Sequence, residues 1–231
     1  MAIIRTIAGY LAISVGIGLA VAYIISLPPE QTPWGELELD QPVGPFTDMK
    51  LSQLNNRDAN CKSLLSDSEV EFTPIPDEDF ADNCRFENVV NIEQSVTPYS
   101  APVRITCAGA AALYLWERDI VQPAAQHYFG QKVARIEHYG TYSCRRVNGA
   151  SRGRFSEHAT ANAIDIAAFR LEDGRTVRVQ QDWEGDSTRS RFLHEVRDGA
   201  CRTFRTVLSP DYNAAHHDHF HLDMGRFNLC R

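Results

Sequence analysis

Two short segments of the chain concentrate the side chains that bind metal ions or transfer protons. The first is Ser156–Asp165, which contains His158 and ends in Asp165. The second is His216–His221, which holds four of the eight histidines of the chain. Imidazole and carboxylate groups are the usual ligands of catalytic zinc, which commonly takes three ligands from the protein and keeps one position for water. The two segments therefore predict a metal site.

Strand periodicity brings the polar side chains of both segments to one face. Over residues 218–224, alternation sends the apolar side chains to one face of a strand and the polar ones to the other. The polar set consists of His219, His221 and Asp223. In residues 163–169, Asp165 likewise faces away from its two isoleucine neighbours. The apolar faces can enter a core, so the histidines and Asp165 are expected to line a cleft.

The elements that must position these residues alternate between helix and strand. Short, mostly antiparallel strands among helices indicate a single α+β domain with a small, mainly antiparallel sheet packed by helices. Helices are predicted at 106–121, capped by Thr106 and ended before Pro123, and from 187 or 188 to 204. Strands are predicted at 133–138, 141–147, 163–171, 176–183 and 218–224.

The motifs in these elements resemble those of known families. Ser156–Asp165 is similar to the S-x-H-x-x-G-x-A-x-D motif of the zinc D-Ala-D-Ala peptidase group, which includes lysostaphin-type enzymes and the hedgehog fold. The ending His216-x-x-His219-x-His221 resembles that of the penicillin-insensitive murein endopeptidases in this group. From about Trp34 to the C-terminus, the pattern resembles the bacterial extensin-like C-terminal domain family. Its shared marks are Tyr142–Arg145, Ser156–Asp165, Trp183, Phe192-Leu193, Asp198–Cys201, Pro210–His216, His219–Asp223 and Cys230-Arg231.

The resemblance implies a hedgehog/DD-peptidase-like fold and a catalytic zinc centre. Carried over residue by residue, it makes His158, Asp165 and His221 the ligands of one zinc ion. It makes His219 the active-site histidine, with His216 supporting it.

Two further positions bear on that centre. Arg145 stands where related peptidases carry an arginine for the substrate carboxylate or the oxyanion. Arg146 is its neighbour, and only one of the two can face the cleft if both lie on a strand. Ala161 replaces the usual glycine of the motif, and a positive φ at this position would strain it.

The chemistry that these roles imply is amide hydrolysis. Zinc makes water nucleophilic near neutral pH, His219 takes its proton and passes it to the leaving amine, and Arg145 helps to stabilise the oxyanion. The implied function is a zinc-dependent peptidoglycan peptidase of the DD-endopeptidase or DD-carboxypeptidase type, acting on D-amino-acid-containing stem peptides. The alternative is a non-catalytic, zinc-containing cell-wall-binding module. His219 and His216 favour the enzyme, because a structural metal site does not need them.

Six cysteines agree with an exported domain. They are Cys61, Cys84, Cys107, Cys144, Cys201 and Cys230, and no two form a C-x-x-C pair. An even, well-spread set in an oxidising compartment predicts three disulfides. Pairing of nearest neighbours predicts Cys61–Cys84, Cys107–Cys144 and Cys201–Cys230.

The N-terminus predicts a membrane anchor. Residues 6–27 carry no charge, which is enough for a span of about 20 residues, and Arg5 precedes them. A signal peptide cleaved at Ala20–Ala22 is the alternative, but the apolar run continues past that site. The predicted organisation is a cytoplasmic segment 1–5, a transmembrane anchor 6–27, a Pro-rich linker 28–58 and a domain 59–231. This organisation places a single-pass protein in the inner membrane, with its domain in the periplasm.

The composition excludes several other classes of protein. The chain has 231 residues, 43% of them hydrophobic, and a formal net charge of −7. The hydrophobic content is that of a folded domain, and no internal repeat indicates a solenoid. The acidic balance argues against a nucleic-acid partner, because nucleic acids are bound by positive surfaces.

Overall fold

Helices and strands alternate along the chain and build an α+β structure. A computed structural model describes residues 2–54 and 58–231. The helices are α1 (Ala2–Ile25), α2 (Thr47–Leu54), α3 (Asp58–Ser66), α4 (Cys107–Trp116), α5 (Gln122–Phe129), α6 (Val179–Asp182) and α7 (Thr188–Ala200). The strands are β1 (Glu71–Pro74), β2 (Glu78–Ala81), β3 (Cys84–Phe86), β4 (Val89–Gln94), β5 (Val103–Thr106), β6 (Val133–Gly140), β7 (Ala163–Leu171), β8 (Thr176–Arg178), β9 (Thr206–Leu208), β10 (Phe220–Asp223) and β11 (Leu229–Cys230).

Helix α1 contains the uncharged N-terminal run. Within the described residues, no helix combines the length and apolarity needed to cross a membrane. The predicted transmembrane anchor at 6–27, and with it the single-pass inner-membrane localisation, is therefore wrong.

Residues 28–54 pack against the rest of the chain instead of forming an extended linker. Leu51 in α2 is fully buried in the core. Asp48 in the same helix accepts a hydrogen bond of 2.7 Å from Arg205 in the C-terminal part of the chain. Burial of apolar side chains makes this segment part of the folded unit, which proline content alone did not reveal. Residues 55–57 of the predicted linker lie outside the described residues.

A six-stranded sheet carries both histidine segments. Its order is β11-β9-β10-β7-β6. Strand β8 pairs with residues 168–170 of β7, beyond the residues that pair with β10. Within this sheet, β11 and β9 run parallel and the other neighbours run antiparallel. The register sets His221 of β10 directly opposite Asp165 of β7. Ile164, Phe220 and Leu222 are fully buried on the other face of these strands. The alternation predicted for the two segments is confirmed, because the apolar face fixes which side the polar residues occupy.

The central helix α4 is buried on all sides, as its Ala- and Leu-rich sequence requires. Thr106 caps it, with its Oγ accepting a hydrogen bond of 3.3 Å from the Gly109 amide. Helix α4 ends at Trp116, but the helical path does not end before Pro123. A π-helical turn over Glu117–Val121 leads into α5, and Pro123 falls in the first turn of α5, where a missing amide proton is tolerated.

Two other predicted elements differ from the structure. Residues 141–147 form a loop that ends in a 3-10 helix at Val147–Gly149, and not a strand. The strand predicted at 176–183 ends at Arg178 and turns into α6. The helix predicted from 187 or 188 is confirmed, with Ser187 as its cap, but it ends at Ala200.

Three disulfides join the elements, in a different pairing from the predicted one. They are Cys61–Cys107, Cys84–Cys144 and Cys201–Cys230. Only the last agrees with nearest-neighbour pairing. The other two follow tertiary packing, since α3 lies against α4 and the β2–β3 hairpin lies against the loop after β6.

Candidate metal centre

His158 is held from both sides. It lies in a 3-10 helix, Glu157–Thr160, whose cap Ser156 accepts a hydrogen bond of 3.3 Å from the His158 amide through Oγ. Its ring is buried, with 3% of the residue exposed. The Nδ1 atom lies 3.1 Å from the carbonyl oxygen of Thr141. Because a carbonyl only accepts hydrogen bonds, Nδ1 carries a proton, which leaves Nε2 as the nitrogen that can present a lone pair to a metal ion.

Three ligand-type atoms converge on one point beside this ring. Nε2 of His158 lies 3.2 Å from Oδ1 of Asp165 and 3.2 Å from Nδ1 of His221. Oδ1 of Asp165 and Nδ1 of His221 are 3.0 Å apart. The three atoms form a nearly equilateral triangle, which the β7–β10 register and the 3-10 helix build together.

The outer nitrogen of His221 is engaged as well. Its Nε2 lies 2.9 Å from Oδ2 of Asp223, and Oδ1 of Asp223 accepts a hydrogen bond of 2.8 Å from the Gly225 amide. Asp223 is buried, with 5% of the residue exposed. A carboxylate on the far nitrogen of an imidazole is the usual support of a metal-binding histidine, because it fixes the ring and its tautomer.

The donor set fits a zinc ion. Four-coordinate zinc with ligand distances of about 2.0–2.1 Å places its ligand atoms about 3.3 Å apart. The observed separations of 3.0–3.2 Å match that spacing. Each of the three atoms can present a lone pair to a cation at their centre, because the outer nitrogens of both histidines already have acceptors.

His219 points its free nitrogen toward the same centre. Its Nδ1 lies 2.8 Å from Oδ1 of Asp218, and its Nε2 lies 3.5 Å from Oδ1 of Asp165. Tyr139 hydrogen-bonds Asp218 as well, and its ring lies 5.8 Å from the His219 ring. Asp218 therefore orients His219, which places a proton-accepting nitrogen beside the centre.

His216 lies on the rim of the centre. Its ring is 5.3 Å from that of His219 and 5.9 Å from that of His221. Nδ1 of His216 is 2.8 Å from Oδ1 of Asn213, which also accepts a hydrogen bond from the Ala215 amide. This turn aims His216 at the centre without bringing it into the triangle.

The charges of the centre are strongly coupled. Burial alone raises the pKa of the Asp165 carboxyl, but hydrogen bonds from His158 and His221 outweigh it and hold that pKa well below its usual range. Burial lowers the pKa of His221, whereas its hydrogen bonds to Asp165 and Asp223 raise it, to about 9 in total. Burial, followed by the charges of His221 and His219, lowers the pKa of His216 to about 4. His216 is therefore neutral near pH 7.

Arg145 and Arg146 face different ways, although neither lies on a strand. Arg145 lines a cleft of about 590 Å³ that opens onto the triangle, which we call the histidine cleft. Arg146 stacks over the ring of Phe155 at 4.3 Å and hydrogen-bonds the carbonyl oxygen of Gly153 on the other side of the loop. The parity assumed for a strand was wrong, but the loop gives Arg145 the position facing the cleft.

Ala161 adopts the conformation that the glycine of the motif would favour. Its φ is 52° and its ψ is 30°, in the left-handed region. Its methyl group is buried beside Phe86 and Val89, in a cluster that Tyr142 packs against. The loop keeps its geometry because this packing, with the Cys84–Cys144 bridge nearby, holds a backbone that alanine disfavours.

The comparisons with known proteins settle the family. A family model described as extensin-like protein C-terminus matches residues 59–231, about three quarters of the chain. The chain belongs to this family. The extensin-like domain thus includes both histidine segments and all six cysteines. No curated protein and no solved structure matches the chain.

The extensin-like domain brings together all the residues that the sequence predicted as metal ligands or catalytic groups. They line one cleft and are Arg145, His158, Asp165, His216, His219 and His221. Their roles as zinc ligands and catalytic groups stay predictions. Sequence reasoning missed Asp218 and Asn213 as supporting partners, and it gave Asp223 a place on the polar strand face but no role. For Asp223 a signal existed, because it lies two residues after His221 and therefore on the same strand face.

Proposed function

We propose that the extensin-like domain is a zinc-dependent peptidoglycan peptidase, which hydrolyses an amide bond in D-amino-acid-containing stem peptides or cross-links. The observation that carries the proposal is the triangle of His158, Asp165 and His221 with Nε2 of His219 beside it. The similarity of both histidine motifs to those of zinc D-Ala-D-Ala peptidases supports the choice of reaction. Three disulfides are typical of proteins that fold under oxidising conditions.

The residues around the triangle have separate tasks. A zinc ion held there would polarise the scissile carbonyl and make water nucleophilic near neutral pH. His219 accepts the proton of the attacking water on Nε2 and passes it to the leaving amine. Asp218 fixes the ring through Nδ1 and stabilises the imidazolium that forms. Asp223 does the same for the ligand His221.

Arg145 supplies positive charge at the mouth of the cleft. Its guanidinium group makes no hydrogen bond or ion pair with any described residue, so its donors are available to a ligand. A planar guanidinium can hold a carboxylate through two parallel hydrogen bonds. Stem peptides carry free carboxylates near the bonds in question, and Arg145 would bind one of them or the developing oxyanion.

Digestion of purified peptidoglycan sacculi tests the proposal. The full chain, loaded with zinc, is incubated with sacculi, and the released muropeptides are separated and identified by mass. We expect products cut at a D-amino-acid amide bond, loss of release on chelation, and its return when zinc is added back. His219→Ala should release little, whereas Arg152→Gln, on an exposed side chain outside the cleft, should match the wild type.

The same experiment separates the two functions considered for this fold. A zinc-containing wall-binding module would sediment with sacculi and release nothing from them. Binding without release, by protein that retains zinc, would reject the peptidase.

A further inference from the structure

A second groove lies beside the histidine cleft and is rich in arginine. It encloses about 920 Å³. Five arginines and two glutamates line it, and we call it the arginine groove. These residues are Arg85, Arg146, Arg154, Arg205, Arg226, Glu87 and Glu157. The chain as a whole is acidic, with a net charge of −7, so this concentration of positive charge marks a place for an anion.

The arginines of the groove fall into an engaged and a free set. Arg85 pairs with Glu87 at 2.9 Å, Arg205 pairs with Asp48 at 2.7 Å, and Arg146 hydrogen-bonds the carbonyl oxygen of Gly153. Arg226 is exposed and forms no hydrogen bond or ion pair with any residue that the structure describes.

Arg154 belongs to the free set with Arg226. Its guanidinium group stacks over the ring of Phe227 at 4.4 Å and has no carboxylate partner within the described parts of the chain. A stacked guanidinium keeps its in-plane donors for a ligand. Two arginines of the same groove therefore present unused, charge-assisted hydrogen-bond donors.

A shared wall joins the groove to the histidine cleft. The segment 154–157 lines both, and His158 follows it directly. On the groove side, the Gly225 backbone lies so close to Glu157 that an added Cβ would come within 2.7 Å of its carboxyl group. The wall is thus tightly packed against Gly225, and Arg154 lines the cavities on both of its sides.

We propose that the arginine groove binds a carboxylate of the second stem peptide of a cross-linked substrate. The proposal rests on the proposed function, because it takes the same class of substrate. A single stem peptide is held at the triangle and by Arg145. Only a cross-linked pair extends over the wall, past Arg154 on its two sides, to Arg226. The groove therefore favours cross-linked dimers over single stems, as expected of an endopeptidase.

Equilibrium binding of defined muropeptides tests this inference. The full chain carries His219→Ala, which slows turnover on the order of 10²-fold or more. It is titrated with a cross-linked dimer, with its single-stem counterpart and with the dimer whose free carboxylates are amidated. We expect Arg226→Gln or Arg154→Gln to weaken dimer binding about tenfold, the loss typical of one charge-assisted hydrogen bond. Amidation should have a similar effect, and the preference for dimer over single stem should fall.

Arg152→Gln is the matched control, because this exposed arginine lies in the same loop and lines neither cleft. It should bind the dimer like the parent, and melting curves of all variants should coincide. Equal dimer affinity in the parent, Arg226→Gln and Arg154→Gln would overturn the inference. Arginine-dependent binding to phosphatidylglycerol vesicles in place of the dimer would also overturn it, since the groove would then serve phosphates. Binding does not require cleavage, so a lack of release from sacculi would reject the peptidase without deciding the groove.

Discussion

The histidine cleft and the arginine groove share a wall but hold their side chains in opposite ways. In the cleft, the outer nitrogens of His158 and His221 are each fixed by an acceptor, at 3.1 and 2.9 Å. In the groove, Arg154 and Arg226 contact no carboxylate of the described residues. A fixed triangle selects a small ion at set distances, whereas a free cationic surface tolerates ligands of several shapes. The partners of a side chain, more than its type, thus distinguish a place for chemistry from a place for recognition.

The largest expected effect is the loss of the metal from the fixed region. His158→Ala or His221→Ala removes one of three protein ligands, and we expect the purified full chain to lose its zinc. The measurement is metal analysis, with about one zinc per chain expected in the parent. His127→Ala is the control, since this exposed histidine lies in α5, away from the cleft. Full zinc content in both ligand variants would show that the triangle holds no metal.

Next in size is the effect of His219 on catalysis alone. His219→Ala should retain zinc but reduce amide hydrolysis on the order of 10²-fold or more, because its Nε2 is the proton acceptor beside the centre. Asp218→Asn should lose less, since Asp218 orients the ring and stabilises its imidazolium form but takes no proton from the water. Hydrolysis rates of both variants on one defined muropeptide show which variant loses more activity. A His219→Ala variant as fast as the parent would leave this residue a purely structural role.

A smaller effect is expected from the support of His221. Asp223→Asn keeps the size of the side chain but removes the charge that fixes the ring. Losses at such positions are typically about 10- to 100-fold in metal affinity. Competition with a chromogenic chelator measures the affinity. An unchanged value would mean that the β7–β10 register alone aligns the ligand.

The pH dependence of zinc binding follows from the same residue. Without metal, the pKa of His221 is raised to about 9, so the ring is protonated at pH 7, and zinc must displace that proton. Affinity should therefore rise about tenfold from pH 7 to pH 8 and level off above pH 9. Titrations in buffers of different ionisation enthalpy count the released proton. A flat profile between pH 7 and pH 8 would contradict the assignment of His221.

The smallest effect concerns the loop that carries His158. Ala161→Gly relieves a left-handed alanine, worth about 1–2 kcal/mol. It also removes a buried methyl group, which costs about 0.8 kcal/mol of stability. In addition, glycine raises the conformational entropy of the unfolded chain, which lowers stability further. These contributions nearly cancel, so the free energy of unfolding should change by less than about 1 kcal/mol. Ala112→Gly, buried inside α4, has no strain to relieve and should cost about 2 kcal/mol in chemical denaturation.

Local patterns in the sequence predicted the strands of the site well. The alternation that buries Phe220 and Leu222 also decides where His219 and His221 point, so one rule of period two located most of the cleft. The caps Thr106 and Ser187 were equally local signals.

Features that depend on tertiary packing were not predictable in this way. The position of Arg145 depends on a loop pinned by Cys84 from a distant hairpin, and no local periodicity records that bridge. The packing of Leu51 is similar, because its partners lie far along the chain. Helix α1 shows the limit of composition, since an uncharged run predicted a membrane span that the described helices do not provide.

The two N-terminal bridges are interlaced, because Cys84 lies inside the loop closed by Cys61–Cys107 while its partner Cys144 lies outside it. A single backbone cut anywhere between residues 61 and 144 therefore leaves the two pieces covalently joined. Nearest-neighbour pairing would have left residues 85–106 as a stretch where one cut separates the chain. A nicked molecule should run as one band on a non-reducing gel and as two after reduction. After a single cut between residues 61 and 144, the Arg145 loop and the histidine cleft should thus keep their structure.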